Sequence, residues 1–170
     1  HVAGDSLAVG IAQQLGGATS DAKVGIGSAQ IIMRVASADY LVVSAGSNDP
    51  TNPNLRENLE AIRAKATGLV IWIVPAIQPA SGVVAGYALR RGDKAVHFIF
   101  GSDGVHPRSY KALADDVMRV IRSIEAQPQT NDQPFIPDGP PTVVKPTPTQ
   151  PPPGDGLGEA EPVADEERAG

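Results

Sequence analysis

The sequence predicts an α/β domain layered around a parallel sheet, on three observations. Short apolar runs alternate with amphipathic stretches of helical period. Residues 40–45 (YLVVSA) and 69–74 (LVIWIV) are almost continuously apolar, as strands buried on both faces must be. Gly, Ser, Asn and Asp cluster just past most of these runs, where strands hand over to helices.

The elements follow in order. Val2 and Ala3 end a buried strand. Residues 6–15 form a helix, with Leu7, Ile11 and Leu15 on one face and Gly16-Gly17 closing it. Residues 22–26 read as a second strand, and Ser28 caps a helix reaching about Ala36. Residues 40–45 are the third strand, followed by the turn Gly46-Ser47-Asn48-Asp49-Pro50. Residues 55–66 are helical, with Leu55, Leu59 and Ile62 on one stripe. Residues 69–74 make the fourth strand. Residues 78–93 read as a long loop, glycine-bearing and basic at Arg90-Arg91, forming either a rim over the site or a short helix around residues 87–90. Residues 94–100 are the fifth strand. The last helix spans 109–124 and carries Leu113, Val117, Val120, Ile121 and Ile124.

Composition divides the chain into a domain of residues 1–126 and a tail of residues 127–170. Eleven of the sixteen prolines fall in the tail. Through residue 126 there are twelve basic and eleven acidic residues, a net charge of +1; beyond it there are two against eight, a net of −6. The tail is therefore expected to be disordered, proline-rich and acidic, and its removal is expected to leave stability and ester turnover almost unchanged. A near-neutral body without a basic patch argues against nucleic acid as partner. No apolar run approaches the ~18–20 residues of a membrane span. No signal peptide is visible. The chain starts three residues before Gly4 without an initiator Met, so its N-terminus is expected to be incomplete and the compartment stays open.

The chemistry gathers on one sheet edge. In a parallel sheet, ligands bind beyond the carboxyl ends of the strands. The segments there are Gly4-Asp5-Ser6-Leu7, then Gly27-Ser28, then Gly46-Ser47-Asn48-Asp49, and finally Asp103-Gly104-Val105-His106-Pro107. Each has an ordinary use when taken singly. Ser6 would cap the first helix, Gly27 and Asn48-Asp49-Pro50 would be turn residues, and His106 would be a solvated loop residue. Together they supply a nucleophile, a base and an orienting carboxylate. Other readings fail on composition. There is no cysteine and no ligand cluster for a metal. Gly25-x-Gly27 lacks the third glycine of a dinucleotide fingerprint, since Gln30 stands there. The lipase elbow G-x-S-x-G is broken by Ala8.

The four blocks, in this order, resemble those of the SGNH (GDSL) hydrolases, esterases and lipases of three-layer α/β/α, flavodoxin-like fold with a central parallel five-stranded sheet. The resemblance covers essentially residues 1–125. The asparagine often found just upstream of the second block's glycine is absent here. The resemblance implies Ser6 as nucleophile, His106 as base and then acid, and Asp103 as its orienting partner. It implies an oxyanion hole from the Ser6 and Gly27 N–H groups and the Asn48 amide, with no metal and no cofactor. The expected activity is that of a serine ester hydrolase working through an acyl-enzyme. With only seven aromatic residues, several on strands, a small open acyl site is expected rather than a broad sugar-stacking platform or a deep lipid tunnel, taking short acyl esters of small molecules or acetylated carbohydrates. Two other readings stand beside it. One is an acyltransferase using the same site; the other is a catalytically silent binding module tethered by the tail, since fold does not guarantee activity.

Overall fold

The computed structural model describes residues 1–126; the expectations for residues 127–170 lie outside it. The elements are β1 (Val2–Gly4), α1 (Ser6–Gln14), β2 (Ser20–Ala22), α2 (Ser28–Ile31), a single 3₁₀ turn (Ile32–Arg34), β3 (Tyr40–Ser44), α3 (Leu55–Lys65), β4 (Leu69–Ile73), α4 (Ala80–Arg91), β5 (Lys94–Val96) and α5 (Tyr110–Glu125). All strand pairs are parallel, in the order β2-β1-β3-β4-β5. The order reverses between β1 and β3, which places the switch point of a doubly wound sheet at the end of β1.

Alternation along the central strands builds two cores. Leu41, Val43, Val70 and Trp72 face Leu55, Leu59 and Ile62 of α3 and Val84, Tyr87 and Ala88 of α4. Val2, Val42, Ile71 and Ile73 face Leu7 and Ile11 of α1 and Leu113 and Val117 of α5. A period of two sends successive side chains to opposite faces, so helices cover both sides and the domain has three layers. The first core has one anchored polar corner. Trp72 Nε1–H donates to Asp93 at 3.0 Å, Arg63 Nε lies 3.0 Å from both Asp93 oxygens, and Trp72 meets Tyr87 edge-on with ring centroids 5.5 Å apart.

Gly4 shows why β1 and β3 lie so close at the site. It pairs with Ser44 at φ +144°, and a Cβ there would sit 2.3 Å from the Ser44 carbonyl oxygen. Both the conformation and the space exclude any other residue.

Four expected elements differ. The second strand is Ser20–Ala22, not residues 22–26, because β1 ends at Gly4 and the Lys23 N–H already caps it through the Gly4 carbonyl at 2.9 Å. Val24, expected inside that strand, is exposed. The helix after Ser28 runs only to Ile31 and tightens into the 3₁₀ turn, with Val35 already extended. Residues 78–93 contain a twelve-residue helix, α4. Its buried face is made of Ala80, Val84, Tyr87 and Ala88, a stripe masked in the sequence by Gly82, Gly86 and small neighbours. The fifth strand stops at Val96 because β4 offers no partner beyond Val74, whose N–H meets the Val96 carbonyl at 3.0 Å. Residues 97–100 therefore leave the sheet, and Ile99 and Phe100 are exposed. Among the described residues no helix is long and apolar enough to cross a membrane.

Candidate active site

The turn after β1 is held by Asp5, not Ser6. Asp5 is the N-cap of α1: its Oδ1 accepts the Leu7 N–H at 3.0 Å and the Ser44 hydroxyl at 2.8 Å. Ser6 is thereby released from capping and becomes the first helical residue, its N–H without an intrahelical acceptor and its side chain half-buried at the sheet edge. The Asp5 carboxyl has no exposure to solvent. Burial raises its pKa, and hydrogen bonds from Ser44, Leu7 and Ser47 only partly oppose the rise. Asp5 Oδ2 and the buried Ser47 Oγ have no partner within hydrogen-bond geometry, although the Ser47 hydroxyl and N–H lie beside this carboxyl.

Across 100 residues, Ser6 Oγ lies 3.0 Å from His106 Nε2. His106 Nδ1 lies 2.7 Å from Asp103 Oδ2. Because a carboxylate only accepts, Nδ1 carries the hydrogen and Nε2 is left to accept from the Ser6 hydroxyl. The loop is rigid by construction. Asp103 Oδ1 accepts the N–H groups of Val105 (2.9 Å) and His106 (3.0 Å), closing an Asx turn across Gly104, which sits at φ +71°. Below the turn, Phe100 and Pro107 form an antiparallel bridge, with the Gly101 N–H on the His106 carbonyl and the Arg108 N–H on the Ile99 carbonyl, each at 2.8 Å. The Val105 N–H, the His106 imidazole and the His106 N–H, in that order, lower the Asp103 pKa to about 2, although the side chain is half exposed.

This loop follows β5 at the far edge of the sheet, yet it reaches the turn after β1. The start of α5 brings it there. Ser109 caps α5 by accepting the Ala112 N–H at 3.2 Å. The Tyr110 ring lies directly on Gly10 of α1, where a Cβ would fall 2.1 Å from Cε1, and the Tyr110 hydroxyl points to the Ser6 carbonyl oxygen at 3.5 Å.

The second and third blocks flank Ser6 through the strand order. Asn48 Nδ2 donates one hydrogen to the Ile26 carbonyl at 3.0 Å, which ties the turn after β3 to the residue before Gly27 and leaves a second N–H on the amide. Asp49 Oδ2 accepts from the Ser28 N–H (3.0 Å), the Ser28 hydroxyl (2.5 Å) and Asn52 (2.9 Å). Gly27 packs so closely on Asp49 that a Cβ would meet Oδ2 at 3.1 Å. The Gly27 N–H is already taken: the Gln30 side chain accepts it at 3.2 Å, reaching back three residues to the helix start.

Ser6, His106 and Asp103 are thus brought into direct contact, whereas Gly27 is engaged elsewhere. Asp5, Gly10, Tyr110 and Gln30 escape sequence reasoning. Only Gln30 carries a signal, as the third residue after the Gly27 cap.

No family model matches the chain, and no curated protein matches it. Among solved structures it is similar to the C-terminal catalytic domain of peptidoglycan O-acetyltransferase A of Streptococcus pneumoniae, determined with a methylsulfonyl adduct. The two share 15% identity with a TM-score of 0.50, over 75% of this chain and 98% of that domain. The likeness shows the fold: a five-stranded parallel sheet between helices.

Proposed function

We propose that this chain is a serine-dependent acyl-transfer enzyme, an ester hydrolase acting on short acyl esters. The observation that carries the reading is the unbroken relay from Ser6 Oγ through His106 to Asp103. In the first half-reaction Ser6 Oγ attacks the ester carbonyl and His106 Nε2 takes its proton. The tetrahedral oxyanion is met by the Ser6 N–H and the Asn48 amide, with the Gly27 N–H joining once Gln30 lets it go. The alkoxide then leaves with the proton from His106, giving an acyl-Ser6 ester. Water, deprotonated by the same imidazole, releases the acid and restores Ser6. Asp103 keeps the imidazole in the right tautomer and stabilises its charged form.

A sugar hydroxyl in place of water would make the same site a transferase, a reading favoured by the acetyltransferase named for the structural neighbour. Both routes pass through acyl-Ser6, so one experiment tests the common step. A fluorophosphonate probe is expected to label the folded chain at Ser6 and to leave Ser6→Ala unlabelled. Absence of labelling on folded protein would favour a silent binding module. Wild type is further expected to cleave p-nitrophenyl acetate faster than the palmitate; the reverse order would discard the short-acyl assignment. Partition of the acetyl group between water and an added oligosaccharide separates hydrolase from transferase.

A further inference from the structure

We infer that the groove on the outer side of His106 receives the alcohol portion of the ester, and that it selects a sugar ring lying on Phe100. The inference rests on the acyl-transfer reading above and specifies its substrate. A groove of about 580 Å³ is walled by residues 100–103 and 106–108, within the ~300–1,000 Å³ range of small-ligand sites. His106 Nε2 must hand its proton to the departing oxygen, so the alcohol lies against the imidazole, on this loop's side. The ester carbonyl oxygen must turn instead toward the Ser6 N–H and the turns after β2 and β3.

The groove's chemistry matches a carbohydrate. Phe100 is 56% exposed, although an aromatic ring of that size ordinarily packs away from water. Its backbone is bridged to Pro107, the residue after His106, which places the ring on the same loop as the imidazole. Around it lie the Ser102 hydroxyl and Arg108, which is exposed and has no carboxylate partner among the described residues. A sugar offers an apolar C–H face to the aromatic ring and hydroxyls to the polar edge. A fatty alcohol needs an enclosed apolar channel, and this groove is open and mostly polar-walled.

The test compares partly O-acetylated xylotetraose and chitotetraose with trifluoroethyl acetate, whose alcohol is too small to reach Phe100. Phe100→Ala is expected to lower the ratio of sugar-ester to small-ester kcat/KM about tenfold, and Phe100→Trp to restore it. An equal fall on both substrates would show that Phe100 merely supports the loop and would overturn the inference, as would an unchanged ratio. Calorimetry of the same oligosaccharides with Ser6→Ala protein decides the groove without turnover. Binding weakened about tenfold by adding Phe100→Ala supports it; no binding, or binding indifferent to Phe100, overturns it. If wild type hydrolyses none of the esters and Ser6 takes no fluorophosphonate label, the acyl-transfer reading falls by itself and the calorimetric result still stands.

Discussion

Gly10→Ala adds one methyl group to α1 and is expected to impair a site it does not touch. The new Cβ would lie 2.1 Å from Tyr110 Cε1 and 2.4 Å from Cδ1 and Cζ, where ordinary contact begins at 3.4 Å. The ring must therefore retreat by more than about 1 Å, given how little a packed interior yields. Tyr110 opens α5 four residues after His106, so its retreat pulls on the loop that holds His106 at 3.0 Å from Ser6 Oγ. A misplacement of that size typically costs ~10²-fold in turnover. Stability should move far less: overpacking costs about 1–3 kcal/mol, while alanine in a helix interior returns nearly ~1 kcal/mol relative to glycine. The net expected loss is ~0–2 kcal/mol. The assay is kcat/KM on p-nitrophenyl acetate alongside urea unfolding. Gly10→Ala/Tyr110→Leu, which removes the clashing ring, should recover most of the activity, giving a strong coupling energy in the double-mutant cycle. A Gly10→Ala enzyme within threefold of wild type would refute the idea that the α1–α5 contact positions the base.

Three further perturbations address the other parts of the site. Asp103→Asn is expected to lower kcat by ~10²–10⁴. With a wild-type pKa of about 2, Asp103 is ionised throughout pH 4–8; its depressed pKa favours the folded state above the unfolded value of ~3.9 and that contribution fades only as pH falls through about 2. A titration of the Asp103 carboxyl followed directly by NMR, with its midpoint between pH 4 and 8, would contradict this. Asp5→Asn tests the opposite sign. Burial raises the Asp5 pKa, so its contribution is most favourable below the unfolded value and is lost as pH rises through the folded one. Urea unfolding from pH 4.5 to 8 should show Asp5→Asn less weakened by rising pH than wild type, and parallel profiles would remove Asp5 as the source. Gln30→Ala frees the Gly27 N–H and should raise kcat ~2- to 10-fold, less than the ~10²–10³ that losing such a donor costs outright, while loss of the Gln30–Gly27 hydrogen bond takes ~0.5–1 kcal/mol of stability. A fall in both quantities would mean that Gly27 does not serve the oxyanion.

Periodicity made the centre of the sheet legible. Residues 40–45 and 69–74 are apolar on both faces, and burial on both faces is what β3 and β4 experience. The edges were harder, because exposure erases the pattern. Ser20–Ala22 is a polar edge strand that only the register with β1 defines. The residues past Val96 kept an apolar composition (His97-Phe98-Ile99-Phe100) after the ladder had ended, so strand-like sequence continued into a site loop. The chemistry was legible where it was local: Asp103 and His106 are three residues apart and one Asx turn joins them. Asp5 was hidden by adjacency, since in an Asp-Ser pair either residue can cap and only the fold shows which one does.

The contact between Ser6 and His106 is a tertiary property of two helices. The Ser6 turn is fixed from beneath by Asp5, Gly4 and Ser44, all within β1 and β3 or between them. The His106 loop is fixed separately by its own bridge and Asx turn. Each half would keep its internal geometry if the other were shifted. Two rigid halves hold a 3.0 Å hydrogen bond only if something sets the distance between them. The structure shows the Tyr110 ring seated in the space left by Gly10, with its hydroxyl reaching the Ser6 carbonyl. In sequence Gly10 is a weak residue inside a helix; in the fold that weakness opens the space through which α5 brings His106 to Ser6. Substitutions along the α1–α5 seam should therefore change turnover more than stability, and those at the Trp72–Asp93–Arg63 corner should do the reverse.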